Sequence, residues 1–350
     1  MTRIGVSCRL LSSLPAFVWL VTSMVALAAC GTPSTDANDL QGPLVLYSGR
    51  REALIQPLID RFQAEHPGLE VALKAGDNIE LANALLEEAG NPQADVFLTT
   101  EILTVEHLFQ QGVLAPYDSV YAEVIPASYR QAESGWTPLT LRARVLMINT
   151  DLVSQDQAPA SILDLSNPEW LGRVAAAGST NGSMQAHVAA LRQLLGDAST
   201  EAWLQGLIEN QVTFFASHTD VRKAVGSGEF AIGLVNHYYY YLQAAEGSPV
   251  GVIYPDQGPD EIGLVVNASS IGLVTGARHP AVARAWIDFL LSEGQQLFAE
   301  LNYEYPIDST VPLREGVHPL DDLHIAEVDL AEAVRDLGGT LDMIDRVGVP

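Results

Sequence analysis

From Leu44 onward, short apolar runs alternate with stretches in which apolar residues recur at helical spacing. Leu44-Val45-Leu46-Tyr47 predicts a strand. Leu54, Leu58, Ile59 and Phe62 predict a helix that the breaker His66-Pro67-Gly68 ends, and residues 69–73 predict a second strand. Asp77 and Glu80 have capping-box spacing and open a helix carrying Leu81, Leu85 and Leu86, after which residues 94–98 form a buried strand. Further strands are expected at 141–149, 174–177, 232–235, 250–254 and 271–274, with helices at 184–195, 280–291 and 293–301. This rhythm implies an α/β fold of mainly parallel sheets flanked by helices, with ligands outside the carboxyl ends of strands. A chain this long is expected to form two lobes, 44–141 plus 266–305 and 142–265 plus 306–350, with the ligand in the crevice between them.

The N-terminus breaks the pattern. Arg3 and Arg9 precede an apolar run to Ala29 with no acidic residue, as in an export signal. The run ends in Leu27-Ala28-Ala29-Cys30, which resembles the bacterial lipoprotein cleavage box. Residues 1–29 are then a signal peptide, Cys30 is the acylated anchor, and residues 30–43, with Gly31-Thr32-Pro33-Ser34, are a flexible tether. An ordinary cleaved signal or an uncleaved signal-anchor is the alternative. Cleavage would also remove Cys8, which excludes a disulfide or a thiolate metal site in the mature chain. The composition, 48% hydrophobic with a mean hydropathy of +0.14, suffices for two cores. With 18 basic and 43 acidic residues the formal charge is -25, which argues against a nucleic-acid partner. That charge suits a cationic ligand, solubility outside the cell or a salt-adapted proteome equally.

His237-Tyr238-Tyr239-Tyr240-Tyr241 is the least ordinary segment, since the whole chain has 11 Tyr. Four phenols in a row suit either aromatic packing with polar tips or phenolate coordination of a hard, highly charged cation. An unperturbed phenol has a pKa of about 10, so only a strong Lewis acid ionises it at neutral pH. Adjacent residues diverge on a helix or strand, so two such oxygens meet on one ion only at a turn or a helix start. Ser179-Thr180-Asn181-Gly182-Ser183 follows a strand and opens a helix, where it can cradle an anion or simply cap. Arg50, Arg51, Arg142 and Arg144 can each fork onto an anion or form ion pairs, and Glu101 can serve as a ligand or as a helix cap. There is no Gly-x-Ser-x-Gly elbow, Walker or dinucleotide fingerprint, nor His-x-x-x-His spacing among the 8 His. No acid, base and nucleophile converge, so an enzyme is not expected.

Taken in order, Leu46-Tyr47-Ser48-Gly49-Arg50, Ala94-Asp95-Val96-Phe97, Arg142-Ala143-Arg144-Val145, Asn236 to Tyr239 and Glu304-Tyr305-Pro306 resemble the periplasmic ferric-ion-binding proteins, the bacterial transferrins that feed iron ABC transporters. The resemblance covers nearly the whole mature chain. It implies a two-lobed periplasmic-binding-protein fold of type II-like arrangement, a monomer held to the extracytoplasmic membrane face by its lipid, and an ABC permease as partner. It implies Fe(III) bound by Tyr238 and Tyr239, and Glu101, one residue beyond the position where the family carries an acidic ligand, is expected as a further metal ligand. A synergistic carbonate or phosphate would sit at Thr180, Asn181, Gly182 and Ser183, with Arg50, Arg51 and Arg142 as anion-binding arginines. The sequence departs from the family where Arg51 replaces a ligand His, where Thr100 replaces an acidic residue, and at the apolar Ile148. The rival expectations are a binder of another solute, such as an organophosphate, a sulfate-like anion or thiamine, and a lipoprotein enzyme or adhesin of similar fold.

Overall fold

The computed structural model describes residues 40, 42–126, 129 and 135–350. The signal segment, Cys30 and most of the expected tether lie outside them. The chain folds as two lobes, each built on its own sheet with helices packed against it.

The first sheet begins with β1 (Leu44–Ser48), α1 (Glu52–Glu65), β2 (Val71–Ala75), α2 (Asn78–Glu87), β3 (Val96–Thr99), α3 (Ile102–Gln110) and the short β4 (Leu114–Ala115). Here β1 lies between β2 and β3 and runs parallel to both. The helices form where the apolar spacing places them. Ile55, Leu58, Ile59 and Phe62 bury one face of α1, and Asp77 caps α2 by accepting from the Ile79 and Glu80 amides. A side chain at Gly49 would overlap the Asn78 amide oxygen, so glycine lets the loop after β1 lie against α2.

The strand β5 (Thr137–Asn149) joins the lobes. All thirteen of its residues are buried; up to Ala143 it pairs with the first sheet, and from Arg144 onward with the second. The second lobe continues through β6 (Val174–Ala177), α4 (Gly182–Leu195), α5 (Asp197–Glu209), β7 (Thr213–Phe215), α6 (His218–Gly226), β8 (Ile232–Asn236), α7 (His237–Ala245) and β9 (Val250–Ile253). The chain returns to the first sheet as β10 (Val266–Val274), α8 (Pro280–Leu291), α9 (Glu293–Asn302) and β11 (Tyr305–Pro306). It ends with α10 (Leu330–Arg335), which packs on α3 and α4, and α11 (Leu337–Val347), which packs on α4 and α5.

The expected two-lobed α/β architecture is present, but the sheets are mixed rather than mainly parallel. Parallel pairing holds for β2-β1-β3 and β8-β6-β7, whereas β5 pairs antiparallel with β8, β9, β10 and β11. The strands that carry the chain between lobes, or back from them, must run against their neighbours. A fully buried strand has the same apolar pattern in either direction, so the sequence does not disclose this. One core gathers Phe62, Phe97, Trp286 and Phe298 under the first sheet. The other gathers Trp170, Leu191, Trp203, Ile232 and Met343 around the second.

Candidate functional site

A cavity of about 280 Å³ opens between the lobes at the ends of β1, β3, β6 and β8, where an α/β fold is expected to hold its ligand. From the first lobe it is lined by Arg50, Arg51, Asp77, Asn78, Thr100 and Arg142. From the second come Asn181, Gly182, Ser183, Ser217, His218, Asn236, Tyr238 and Tyr239.

The phenols divide evenly between the two uses that four consecutive tyrosines allow. They occupy the first turns of α7, a helix start, because β8 ends at Asn236 and His237 begins the helix. Tyr238 and Tyr239 turn to the cavity with ring centroids 4.2 Å apart. Tyr240 and Tyr241 turn away: the Tyr241 hydroxyl meets that of Tyr254 at 3.0 Å, and its ring stacks on Tyr303. His237 holds the helix start in place, with Nδ1 accepting from the Ala143 amide of β5 and Nε2 bonding the Tyr303 carbonyl. Burial lowers its pKa to about 3, so it is a neutral clamp. Burial also pushes the Tyr238 phenol well above its usual range; the neighbouring Tyr239 oxygen adds to this, and Arg142, with its guanidinium 5.3 Å from the Tyr238 ring centroid, pulls it back.

The arginines expected to fork onto an anion are engaged elsewhere. Arg50 donates to Glu304 Oε2 at 2.5 Å and to Ser269, while Arg142 donates to Glu304 Oε1 through two nitrogens and to the Thr100 carbonyl. Glu304 is fully buried between them. Burial raises its carboxyl, but the charges and hydrogen bonds of Arg50 and Arg142 outweigh this and hold it below the usual carboxylate range. Tyr303, in a left-handed conformation at the end of α9 with φ of 56°, turns the chain so that Glu304 enters this slot. Arg142 thus reaches the cavity as a charge with all three of its nitrogens donating, and Arg50 with its two terminal nitrogens donating and only its buried Nε without a partner. Arg51 is exposed at the cavity and donates one bond to Ser217 Oγ of the opposite lobe, at 3.2 Å.

Arg144 is also buried. Its NH1 donates to His218 Nε2, and its NH2 donates to the Ser183 carbonyl and hydroxyl. A guanidinium only donates, so Nε2 of His218 is the acceptor and the ring proton is on Nδ1. Burial, with Arg142 adding to it, brings the Arg144 pKa down to about 10 against the pull of Tyr238 and Tyr239.

In the expected anion loop, Asn181 caps α4 by accepting from the Met184 amide, and Asn181, Gly182 and Ser183 line the cavity. Thr180 is exposed and outside the lining. Glu101, expected as a metal ligand or a cap, is placed as the cap. It is completely buried, both carboxylate oxygens accept from the Thr104 amide, and it does not line the cavity. Its backbone leaves β3 one residue after Thr100, which does reach the cavity; capping α3 turns the carboxylate inward. Among the described residues no group of three His, Cys, Asp or Glu could hold a metal ion. Sequence reasoning missed Glu304, His218, Ser217 and Asp77 as site residues. Two of them carried a signal: Asp77 through its place at a helix cap after a strand, and Glu304 through the Glu304-Tyr305-Pro306 motif, which gave it no role.

A family profile described as bacterial extracellular solute-binding protein matches residues 91–327. The chain is 32% identical over 327 residues to a Serratia marcescens "Fe(3+)-binding periplasmic protein", covering 92% of this chain and 94% of that one. Among solved structures it resembles iron-bound HitA from Pseudomonas aeruginosa, with a TM-score of 0.80 and 27% identity, covering 88% of this chain and 100% of that one. It also resembles the Trichodesmium protein in complex with iron and citrate, with a TM-score of 0.73 and 29% identity, covering 88% and 100%.

Proposed function

This chain belongs to the bacterial extracellular solute-binding protein family, and we propose that its solute is ferric iron, captured by Tyr238 and Tyr239 for delivery to the membrane permease of an ABC importer. The observation that carries this reading is that two adjacent phenols line the same cavity as the α4 N-terminus, in a chain whose relatives are named for binding Fe(3+). The mechanism follows from charge. Before a metal binds, burial keeps the Tyr238 phenol protonated, so weakly polarising cations gain little there. A trivalent ion displaces the phenol protons, and Arg142 and Arg144 favour the phenolates so formed. Two phenolates leave one positive charge on the metal. A small anion, carbonate, phosphate or a carboxylate such as citrate, neutralises it at the Gly182 and Ser183 amides of α4, with Arg51 as the exposed cavity arginine that has donors to spare. The lobes close about Ala143–Arg144 and the entry to β10.

Cys30, acylated after export, would hold the protein at the extracytoplasmic face of the membrane. Among the described residues no helix is long and apolar enough to cross one.

Loading the iron-free chain with ferric ion and bicarbonate should give a visible phenolate-to-iron charge-transfer band. Tyr238→Phe and Tyr239→Phe should each lose most of that band and weaken affinity by more than about 100-fold, beyond what outer-shell changes cost. Binding should weaken as pH falls, because protons compete for the phenolates. Wild-type colour in both variants would refute the assignment. A phosphorylated small solute is the second reading, favoured by the buried arginines at the cavity. It requires an organophosphate to raise the melting temperature without iron.

A further inference from the structure

Two of the helix starts at the cavity are joined across it. Arg51 is the N-cap residue of α1 in the first lobe and Ser217 that of α6 in the second, and both line the cavity. Arg51 donates to Ser217 Oγ at 3.2 Å. Among the described residues this is the only hydrogen bond between cavity-lining side chains of opposite lobes. At the start of α4 the lobes meet by packing instead: a β-carbon on Gly182 would lie 3.4 Å from Glu101 Cγ and 3.7 Å from Asn78 Nδ2. Ser217 is held ready to accept. Its hydroxyl proton goes to Asp220 Oδ2 at 2.5 Å, which leaves its lone pairs to the Arg51 guanidinium and the Asp220 amide. Asp220, exposed and outside the cavity lining, puts a negative charge behind that oxygen.

The two ends of this bond belong to different lobes, so it exists only while the lobes are together and opening must break it. Arg51 is exposed and makes this one side-chain bond, so the same guanidinium has donors left for an anion in the cavity. We propose that Arg51, Ser217 and Asp220 form an interlobe clasp, in which an anion held by Arg51 tightens the bond to Ser217 and so slows opening and loss of the solute. The link is entropic. An exposed arginine gives up rotamer freedom to make either contact, and the first contact made lowers the cost of the second. Ser217 and Asp220 are positioning residues here, since they act on the solute through Arg51. The identity of the solute rests on the ferric reading above, while the clasp itself requires only an anion in the cavity.

The test is the rate at which the chain, loaded with ferric ion and bicarbonate, gives up iron to an excess of competing chelator, followed by the charge-transfer band. Ser217→Ala should release iron about three- to tenfold faster, the range that one net hydrogen bond allows. Ser217→Thr, which keeps the hydroxyl, should restore the wild-type rate. In an Arg51→Met background Ser217→Ala should add nothing, because the bond is already gone. Raising bicarbonate should slow release in the wild type more than in Ser217→Ala. Asp220→Ala should speed release about twofold at an unchanged band wavelength, and the difference should shrink in high salt. A wild-type rate in Ser217→Ala would overturn the inference. Equal acceleration by that variant in both backgrounds would overturn it too, since the effect would then come from the lost cap on α6. If no band forms on loading, the ferric reading fails by itself, and the clasp is then read by small-angle scattering in phosphate. Ser217→Ala should show the larger radius of gyration, and equal radii would overturn the clasp.

Discussion

The two walls of the solute cavity are built on different principles. The second-lobe wall presents groups that still have something to give: the phenols of Tyr238 and Tyr239 at the start of α7, and the first turn of α4. The first-lobe wall presents groups that are largely spent. Arg50 and Arg142 are tied to Glu304, Asp77 uses one oxygen to cap α2, and Glu101 lies beneath the surface capping α3. A wall with open donors acts by coordination; a wall of satisfied charges acts by the field it projects. Substitutions in the first-lobe wall should therefore change stability and pH dependence, and those in the second-lobe wall should change affinity outright.

The strongest way to break this contrast is Glu304→Gln. It leaves Arg50 and Arg142 side by side without their shared carboxylate, deep in the first lobe. Removing one partner of a buried ion pair costs about 3–5 kcal/mol, so urea unfolding should show a loss of that size. The folded fraction should retain the charge-transfer colour of the iron-loaded protein, because neither phenol is touched. A loss below about 1 kcal/mol would mean that the arginines do not depend on Glu304.

Arg144→Met sharpens the contrast from the other side, since Arg144 belongs to the second lobe yet acts by charge. Its guanidinium favours the phenolate forms of Tyr238 and Tyr239. Without it protons compete better, so the pH at which iron is released should rise by about one unit, equal to about 1.4 kcal/mol. The band itself should stay at the same wavelength, because the ligands are unchanged. An unaltered release pH would show that the charge does not reach the phenols.

The same contrast explains how much was legible in the sequence. The donors of the second wall are local: four tyrosines in a row and a Ser-Thr-Asn-Gly-Ser loop before an apolar helix are visible as short patterns. Spacing asked only that two of the four phenols sit at a turn or helix start, and which two came from the family resemblance; Tyr238 and Tyr239 do lie in the first turn of α7 and line the cavity. The first wall is not local. Glu304 meets Arg50 across 254 positions and Arg142 across 162, and no periodicity links such residues. Sequence spacing also left Glu101 open between ligand and cap, because both begin with an acidic residue after a strand. The antiparallel course of β10 and β9 was hidden for a similar reason: buried strands advertise their burial and not their direction.

Glu101→Gln carries the smallest expected effect and tests the contrast most finely. Burial raises the Glu101 carboxyl above its usual 4.5, despite the hydrogen bonds from Thr104 and Thr99 that favour the charged form. As pH rises from 4.5 toward the raised value, the unfolded chain gives up this proton while the folded chain keeps it, so this group stabilises the fold below that window and loses its contribution across it. Gln has no proton to lose, so the variant should gain on the wild type as pH climbs through the window. Against that gain stands a weakened cap on α3, a loss of about 1 kcal/mol at every pH. Unfolding curves at several pH values separate the two terms, the first varying with pH and the second constant. Iron affinity and colour should match the wild type throughout, because Glu101 does not line the cavity. A tenfold or greater loss of affinity would mean that this carboxylate swings out to the metal when iron binds, and the first lobe would then be a coordinating wall after all.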